Sequence, residues 1–480
     1  MDLSPIRRRL ASASLRCICA ALGALITALP VPTAHAGAEV TALVGGTVID
    51  GTGAEPLANA IVLIEGERIA AVGRSDAVAV PDGAHVVDVR GKWIIPGLID
   101  AHIHFFQSGG LYTRPDILDL REVRPYAEEL AWIQRRLPAT LARYLASGVT
   151  AVVDVGGPFS NFAVRELARR TALAPRVAVA GPLLGTFAPP ELETDDPPVI
   201  RVTGPEDART LVRRELEHKP DLVKLWLVDV WGRGLGAELD WIRAAIEESH
   251  AGGVRVVVHA TEREAARAAV RAGADVLAHS VRDSVLDEAL IALLKERDVV
   301  YTTTLVVDEG YYEVLGQQVE LTDIERRLGD PEVIATFADM AGLPWHKVPF
   351  WARFQEPPSH AVAFENLRRV QAAGVTVAAG SDAGNIGTLH GPALHRELEL
   401  MAEAGLEPMD ILVAATYGGA RVMGREAELG TIEAGKLADL VVLDANPLAD
   451  IRNTRLIHRV VKGGVVLDPE EILEQALKPR

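Results

Sequence analysis

The most informative part of this sequence for its fold is the stretch Trp93-Ile94-Ile95-Pro96-Gly97-Leu98-Ile99-Asp100-Ala101-His102-Ile103-His104. It is a run of mostly apolar residues that ends in two histidines separated by one residue. Alternate residues of a β-strand share one face, so His102 and His104 present their imidazoles on the same side while Ile103 packs on the other. Neutral imidazole is the commonest protein ligand for metal ions, but a complete site needs more than two ligands. The stretch therefore predicts a strand that carries part of a metal site.

Four further candidate ligands stand within or just after other short apolar runs. They are Lys224 within residues 221–227, His259 at the end of 254–259, His279 at the end of 274–279, and Asp382 after 376–381. Reactive groups at the carboxyl ends of several strands are typical of a (β/α)8 TIM barrel, where those ends converge on one mouth. Alternating strand-like and helix-like segments favour the same parallel α/β fold. The eight predicted strands are 93–102, 150–155, 176–180, 222–227, 254–259, 274–279, 299–304 and 376–380.

The clearest helical signal lies between the fifth and sixth predicted strands. Thr261 is a candidate N-cap, and Gly273 suits the C-terminal end of the helix. The residues of its predicted apolar stripe are Ala265, Ala266, Ala269 and Val270. Such a helix would return the chain to a neighbouring parallel strand, which places His259 and His279 side by side.

The two ends of the chain share a different pattern, of short alternating apolar runs broken by glycine. It extends from residue 40 to about residue 89 and returns in 437–443 and 457–466. Neither end holds enough strands for a stable sheet of its own, so we predict one small β-sandwich built from both. The predicted domains are this composite sandwich, residues 37–92 and 425–480, and the inserted catalytic barrel, residues 93–424.

Residues 1–36 predict an export signal peptide. An apolar run from Cys17 to Leu29 follows a basic segment that contains Arg7, Arg8, Arg9 and Arg16. The small residues around Ala36 suit a signal peptidase, and the apolar run is short for a bilayer span, although a retained membrane anchor is the alternative. The arginines leave the general and the twin-arginine export routes open. We expect an exported protein, periplasmic or secreted, without stable membrane insertion after cleavage.

The net charge and the cysteine content restrict the classes of molecule and of metal ligand that the chain can use. The formal net charge of −17 becomes −20 when the signal, which carries +3, is removed. A protein this acidic is not expected to bind nucleic acid, so the expected partner is a small-molecule substrate. Both cysteines, Cys17 and Cys19, lie in the signal, so the metal ligands must be nitrogen and oxygen atoms. Association into a homo-oligomer is compatible with the sequence.

The candidate ligands suit two divalent ions with a bridging anion. The ligand sets are His102, His104 and Asp382 for one ion, His259 and His279 for the other, and Lys224 for the bridge. Lys224 lies in an apolar strand, where a charge is costly, and its neutral amine can react with carbon dioxide to give a bidentate carbamate. A metal-bridging hydroxide could then attack a substrate carbonyl with Asp382 as the catalytic base, which predicts hydrolysis. The alternative role of Lys224 is a buried ion pair with Asp154.

In these motifs the chain resembles the metal-dependent amidohydrolases, in their imidazolonepropionase-like and prolidase-like branch. The resemblance rests on residues 96–104, Lys224, His259, His279, residues 380–384 and a tail segment, residues 429–444. It implies a barrel whose metal centre contains the six ligands named above, with Lys224 present as N6-carboxylysine and Asp382 as the base. Imidazolonepropionase itself has no bridging lysine, so Lys224 favours the binuclear, peptidase-like members.

Three functions are compatible with the sequence. The first is hydrolysis of a C–N amide bond in a dipeptide, an N-acyl amino acid or a related amide by a binuclear centre. The second is a mononuclear deaminase or cyclic-amidine hydrolase, and the third is a non-catalytic exported ligand-binding protein. A base such as Asp382 at the metal argues against the third. Nitrogen-rich ligands favour zinc, whereas the oxygen ligands would also accept manganese or cobalt.

Substrate contacts are predicted from their position at the barrel mouth. The candidates are Tyr301, Asn385 and His390, and those for a substrate carboxylate are Arg114, Arg233 and Arg353. The long aromatic-rich connection 308–373 suits either a lid or a substrate pocket at the barrel mouth, or a helical excursion with its own core.

Overall fold

The computed structural model describes residues 40–185, 187–228, 236, 238–348 and 357–478. The strands are β1 Val40–Val48, β2 Leu57–Glu65, β3 Arg68–Arg74, β4 His85–Asp88, β5 Trp93–Pro96, β6 Leu98–Ile103, β7 Val149–Asp154, β8 Arg176–Val179, β9 Leu183–Gly185, β10 Val199–Arg201, β11 Leu222–Trp226, β12 Arg255–His259, β13 Val276–Ala278, β14 Val300–Thr303, β15 Val377–Ala379, β16 Leu440–Leu443, β17 Ile457–Lys462 and β18 Val465–Leu467. The helices are α1 Tyr126–Ala146, α2 Phe162–Arg169, α3 Pro205–Glu217, α4 Leu239–Ala251, α5 Arg263–Ala272, α6 Glu288–Glu296, α7 Val306–Leu315, α8 Asp323–Leu328, α9 Pro331–Ala335, α10 Ala361–Ala372, α11 Ala393–Glu403, α12 Pro408–Val413, α13 Gly419–Met423 and α14 Pro469–Leu477.

The middle of the chain builds two parallel sheets. β6, β7 and β8 form one sheet, and the other has the order β10-β9-β11-β12-β13-β14-β15. Isolated parallel bridges join residues of the two groups, from Ala180 to Leu222 and from Ile103 to Ala383. The predicted α/β class with parallel strands is confirmed, and every predicted strand overlaps an observed one. β9 and β10 were not predicted, because three residues are too few to show a periodic pattern.

The prediction of one continuous strand over residues 93–102 is wrong, because Gly97 divides it. β5 pairs with β1 and β16, whereas β6 pairs with β7 of a parallel sheet. A Cβ atom built on Gly97 would lie 2.0 Å from Oγ1 of Thr150. The N–H of Gly97 donates a hydrogen bond to the carbonyl of Asp439 at 2.8 Å. The chain thus passes between two sheets at a point where no side chain fits, and the apolar pattern alone gives no sign of this.

Replacing Gly97 by alanine is expected to lower the free energy of unfolding by about 1–3 kcal/mol, because Thr150 or the backbone must move to admit the methyl group. Equilibrium unfolding in urea measures the change. Gly342→Ala is the matched control, since no atom lies within 4 Å of a Cβ built there. Thr150→Ala in the Gly97→Ala background should restore part of the loss, and equal stability of the two glycine variants would contradict this account.

The structure confirms most of the features predicted for helix α5. Its buried residues are Ala265, Ala266, Ala269 and Val270. It ends at Gly273, which has a left-handed φ of 107°. The prediction of Thr261 as its N-cap is wrong, because Glu262 occupies that position and makes no side-chain cap hydrogen bond. The helix connects β12 to β13, and His259 is paired there with Ala278, the residue before His279.

The terminal sheet has the order β18-β17-β16-β5-β1-β2-β3, with β4 beside β1. It therefore joins strands from both ends of the chain, as the sequence pattern indicated. One apolar cluster contains Leu43 and Val62 from the early strands and Leu440, Val442 and Val461 from the late ones. β5 lies in the middle of this sheet, although the sequence analysis assigned residues 93–96 to the barrel.

Two long connections between strands, the first over residues 105–147 and the second over residues 308–373, pack against each other. One buried apolar cluster contains Leu118 and Leu120 from the first connection and Val314, Phe337 and Met340 from the second. The described part of residues 308–373 thus packs in an apolar cluster that it shares with the first connection.

Within the described ranges, no helix is long and apolar enough to cross a membrane. The predicted signal peptide, residues 1–36, lies outside those ranges. Arg233 and Arg353 also lie outside them, so the structure bears on Arg114 alone among the three candidate arginines.

Candidate active site

The six predicted ligands are carried by parallel strands or by the residues directly after them. His102 lies in β6, Lys224 in β11 and His259 at the end of β12, while His104, His279 and Asp382 follow β6, β13 and β15. The imidazoles form a chain, with ring centroids 5.3 Å apart for His102 and His104, 4.5 Å for His102 and His279, and 4.3 Å for His259 and His279. The structure thus brings together side chains that are up to 280 positions apart (102 to 382).

The tightest group consists of His102, His104 and Asp382. Their candidate ligand atoms all lie within 4.8 Å of one another, and the three residues are buried. Oδ1 of Asp382 lies 3.6 Å from Nε2 of His102 and 3.5 Å from Nε2 of His104. Oδ2 lies 3.8 Å from Nδ1 of His279. The two distances from Oδ1 are too long for good hydrogen bonds, and they suit atoms that converge on an ion.

Several polar atoms of the site are buried without a hydrogen-bond partner among the described residues. They are both ring nitrogens of His102, Nζ of Lys224 and Oδ1 of Asp382. Burial of unpaired polar atoms is costly unless another partner satisfies them. Burial, together with the charge of Lys224, lowers the pKa of His104 to about 3 and that of His102 well below its ordinary value. Neutral imidazoles beside a carboxylate are a donor set that fits a divalent cation.

Two histidines are oriented through their second ring nitrogen. Nδ1 of His104 lies 2.7 Å from the carbonyl oxygen of Gly156, so this nitrogen carries the proton and Nε2 keeps its lone pair toward Asp382. Nδ1 of His279 lies 2.8 Å from Oγ1 of Thr304. Such bonds hold the rings before any ion binds, which lowers the entropy lost on binding.

The backbone at two of the predicted ligands is left-handed. Asp382 has a φ of 55° and His279 a φ of 74°, a region that residues with a side chain rarely adopt. The N–H of Asp382 donates to the carbonyl of His102 at 2.7 Å, and the N–H of His104 donates to that of Ala383 at 2.9 Å. These bonds hold the loop after β15 against the end of β6.

Asp100 also holds the loop after β15 against the end of β6. It was not predicted as a site residue. Its buried carboxylate accepts hydrogen bonds from the N–H of Ser381 at 2.9 Å, from the N–H of His102 at 3.4 Å, and from the Ser381 hydroxyl. Burial raises the pKa of Asp100 to about 7 in spite of the bonds from Ser381. Its place two residues before His102 is the signal that could have identified it.

Lys224 is buried in β11 and lines the same cavity as His104 and Asp382. Burial lowers the pKa of its amine, and the negative charge of Asp382 opposes that shift. Asp154, the partner in the alternative ion pair, instead accepts hydrogen bonds from Nδ2 of Asn161 at 2.9 Å and from the N–H of Gly156 at 3.3 Å. The described residues therefore engage Asp154 in another way, and Asp382 is the carboxylate that acts on Lys224.

Two cavities lie beside the ligands and share part of their lining. One has a volume of about 330 Å³ and the other of about 200 Å³. The shared residues include His259, His279, Asp382, Asn385, Arg114 and Arg282. Asn385 thus lies where a substrate contact was predicted. A larger cleft of about 810 Å³, between Arg176 and Lys462, contains none of the predicted ligands.

The other two predicted substrate contacts do not line either cavity. Tyr301 is fully buried, and its hydroxyl accepts a hydrogen bond from the N–H of Val281 at 2.8 Å. His390 lies between the hydroxyl of Tyr144, 2.7 Å from Nδ1, and the carbonyl of Gln107, 2.8 Å from Nε2. Both side chains are therefore bound to the protein interior rather than turned toward a substrate.

Arg114 lines both cavities, but its charge is already matched. Its Nε and Nη2 atoms donate to the two carboxylate oxygens of Asp116 at 2.8 and 2.6 Å. Its Nη1 atom donates to Oδ1 of Asn385 and to the hydroxyl of Tyr311. Arg282, three residues after His279, also lines both cavities and was missed by the sequence analysis.

Comparison with known proteins identifies the family. A profile of the amidohydrolase family matches residues 93–467. The chain belongs to the amidohydrolase family. This match confirms the family predicted from the histidine pair and the strand-end ligands, and with it the predicted enzyme class, a metal-dependent hydrolase that acts on carbon–nitrogen bonds.

This amidohydrolase is similar to several proteins along most of its length. It is 26% identical over 469 residues to the ochratoxinase of Aspergillus niger, with 89% of this chain and 86% of that protein covered. It is 26% identical over 444 residues to the imidazolonepropionase of Geobacillus kaustophilus, with 85% of this chain and 90% of that protein covered. The crystal structure of a prolidase complexed with N-methylphosphonate-L-proline is 26% identical, with a TM-score of 0.65 and coverage of 89% of this chain and 99% of that chain.

Proposed function

We propose that this amidohydrolase cleaves the amide bond of a dipeptide, an N-acyl amino acid or a related small amide, with two divalent ions in its active site. The observation that carries the proposal is the buried amine of Lys224, which has no hydrogen-bond partner among the described residues. It lines one cavity together with His104, His259, His279 and Asp382. The similarity to an ochratoxinase and to a prolidase supports a small amide substrate.

The proposed metal centre uses all six predicted ligands. The first ion would be held by His102, His104 and Asp382, the second by His259 and His279, and both by carboxylated Lys224. Zinc is the favoured metal because imidazole nitrogens predominate among the donors. When bound, divalent ions supply Lewis-acid activation of a water molecule and of the amide carbonyl.

Lys224 becomes a ligand by reaction with carbon dioxide. Its neutral amine forms an N–C bond to the carbon atom, one C=O electron pair moves to oxygen, and the nitrogen releases a proton to solvent. The product, N6-carboxylysine, carries one negative charge over two oxygens, a geometry that suits a bridge between cations. Burial supports this step because it lowers the pKa of the amine and so favours its neutral form.

Asp382 is the proposed general base. Burial raises the pKa of its carboxyl group, and the positive charges of Lys224 and Arg114 oppose the shift. A carboxylate with a raised pKa can take the proton of the attacking water and return it to the leaving nitrogen as the C–N bond breaks. Nδ2 of Asn385 donates to the main-chain carbonyl of Asp382 at 3.0 Å and so holds the loop that carries the base.

A mononuclear deaminase or cyclic-amidine hydrolase is the second candidate. One observation favours it: His102, His104 and Asp382 are the compact ligand group found among the described residues, and this group suits a single ion. The similarity to an imidazolonepropionase points the same way. This candidate predicts one ion per chain and little effect of removing Lys224.

A substrate panel tests the proposal. Protein purified with bicarbonate and zinc is assayed against dipeptides, N-acyl amino acids, a cyclic amidine and an aminated heterocycle, with an ester, a lactone and a phosphotriester for comparison. Turnover of the linear amides is expected. Turnover of the cyclic amidine or the aminated heterocycle alone would establish the second candidate, and no turnover of any compound would favour a ligand-binding protein.

The finer architecture belongs to the same proposal. We infer that the two parallel sheets close into a (β/α)8 barrel and that the terminal sheet folds into a β-sandwich. The bridges from Ala180 to Leu222 and from Ile103 to Ala383 support closure, because they join both edges of the sheet of β6, β7 and β8 to the larger sheet. The apolar cluster shared by both chain ends supports the sandwich.

Export is the last part of the proposal. We expect a bacterial host to release the protein to its periplasm or medium with Gly37 as the first residue, because the signal peptidase cleaves after small residues such as Ala36. Intact mass and N-terminal sequencing measure this. Ala36→Phe should block cleavage, whereas full-length wild-type protein in the membrane fraction would establish the retained anchor.

A further inference from the structure

Arg282 places its positively charged guanidinium at the edge of the active site. It lines both cavities together with His279 and Asp382. Its Nη1 atom donates to both carboxylate oxygens of Asp308, at 2.7 and 2.8 Å. The side chains of this pair are 53% and 34% exposed, so their attraction is screened by water and stabilises the fold little.

Of the arginines that line the two cavities, Arg282 is the one whose carboxylate partner, Asp308, a substrate could replace. In the described part of the chain, the two cavities are lined by two arginines, Arg114 and Arg282. Arg114 is bound through three nitrogens to Asp116, Asn385 and a tyrosine hydroxyl, so a substrate would have to displace a buried pair. Both bonds of Arg282 to Asp308 come from one nitrogen, whereas a guanidinium binds a carboxylate best through two nitrogens in a fork.

We propose that Arg282 binds the free carboxylate on the amine half of the substrate, which takes the place of Asp308 on the guanidinium. This inference rests on the proposed amide hydrolysis and narrows it to amides of α-amino acids with a free carboxylate. Asp308 lines the 200 Å³ cavity, so the amine half occupies that cavity. Asp308 keeps the guanidinium charge matched when no substrate is bound.

The acyl half then occupies the other cavity, where several large apolar side chains form part of the wall. The apolar side chains that line the 330 Å³ cavity include Phe106, Leu183, Leu192, Val199 and Trp226. Burial of an apolar acyl group against such walls is favourable at about 25 cal/mol per Å² of apolar surface removed from water. The two cavities share the ligands His259 and His279, so the amide bond that joins the two halves lies at the metal centre.

A matched pair of substrates tests the role of Arg282. N-benzoyl-L-phenylalanine has the carboxylate, and N-benzoylphenethylamine is the same amide without it. Wild-type enzyme is expected to favour the first in kcat/KM by about 100-fold, because hydrogen bonds to a charged group contribute more than neutral ones. Arg282→Met should reduce this preference to within about threefold, chiefly through KM, and Arg282→Lys should keep part of it. Asp308→Asn should lower KM for the carboxylate substrate.

The control is Arg68→Met, which breaks an ion pair of similar exposure with Glu428, 52% and 37%, away from both cavities. It should preserve the substrate preference. Calorimetric titration of the holoenzyme with the same two compounds separates this inference from the proposed function, since binding needs no turnover. Absence of hydrolysis would count against the amidase proposal, and tighter binding of the carboxylate compound that Arg282→Met abolishes would still establish the site. An equal preference in wild type and Arg282→Met, or equal binding of both compounds by wild type, would overturn it.

Discussion

Lys224→Ala is expected to lower the bound metal from about two ions per chain to one or none, and to reduce kcat/KM for an amide by about 10³-fold or more. The reason is electrostatic. Without the bridging carbamate, Asp382 would be the one anionic side chain among the proposed ligands of two cations, and the mutual repulsion of the cations would expel at least one. Metal content by mass spectrometry and steady-state kinetics on the same preparation measure both effects.

Two further variants make this result specific. Lys224→Met keeps most of the buried volume but cannot form a carbamate, so it should behave as Lys224→Ala does. Lys462→Met removes another largely buried lysine, 11% exposed, that lies away from both cavities, and it should retain metal and activity. Intact mass of wild-type protein in bicarbonate should show the added carbon dioxide. One ion per chain in wild type and in Lys224→Ala alike would eliminate the bridge and establish the mononuclear reaction.

Asp382→Asn is expected to reduce kcat by about 10²–10⁴-fold, the range usual for loss of a general base. The amide is nearly isosteric with the carboxylate, but it cannot take a proton from water at neutral pH. Because Asp382 also belongs to the tight ligand group, metal affinity should fall as well, so kcat is measured at saturating zinc. The loss should persist there, which separates the proton-transfer role from the ligand role.

Asp339→Asn is the matched control for this change, because Asp339 accepts a hydrogen bond from the Tyr112 hydroxyl at 2.9 Å and lines neither active-site cavity. It should leave kcat within about threefold of wild type, as for most surface substitutions. Full recovery of the Asp382→Asn activity on addition of zinc would show that Asp382 serves only as a ligand, and another residue would then have to act as the base.

The candidate ligand positions could be predicted from the sequence because each is a polar residue within or just after an apolar run. A histidine at the end of an apolar run, such as His259, or a lysine inside one, such as Lys224, contradicts the apolar pattern around it. In a parallel α/β fold all such strand ends lie on the same side, so positions far apart in the chain predict one site without any knowledge of the loops. The shared sheet of the two chain ends could also be predicted, because neither end has enough strands to form a stable sheet alone.

The substrate contacts were harder to predict because they depend on which partner a side chain meets. Tyr301 and His390 have the right sequence positions, yet both are bound to interior groups. Arg114 is matched by Asp116, two residues along the chain, whereas Arg282 faces Asp308 at the rim. No periodic pattern in the sequence shows whether the charge of an arginine is already paired with a buried carboxylate or can still bind a substrate.

The fold class and the six candidate ligands follow from the sequence through strand periodicity and the polar residues placed against it, and the family follows from the resemblance of the motifs that contain those residues. The tertiary structure was needed to show where Gly97 separates the two sheets, that Asp100 ties β6 to the loop of Asp382, and that Asp308 is the partner of Arg282. Unlike the pair of Arg114 and Asp116, each of these features depends on atoms within about 3 Å of one another on segments far apart in the chain, and close packing at that scale is a property of the folded protein alone.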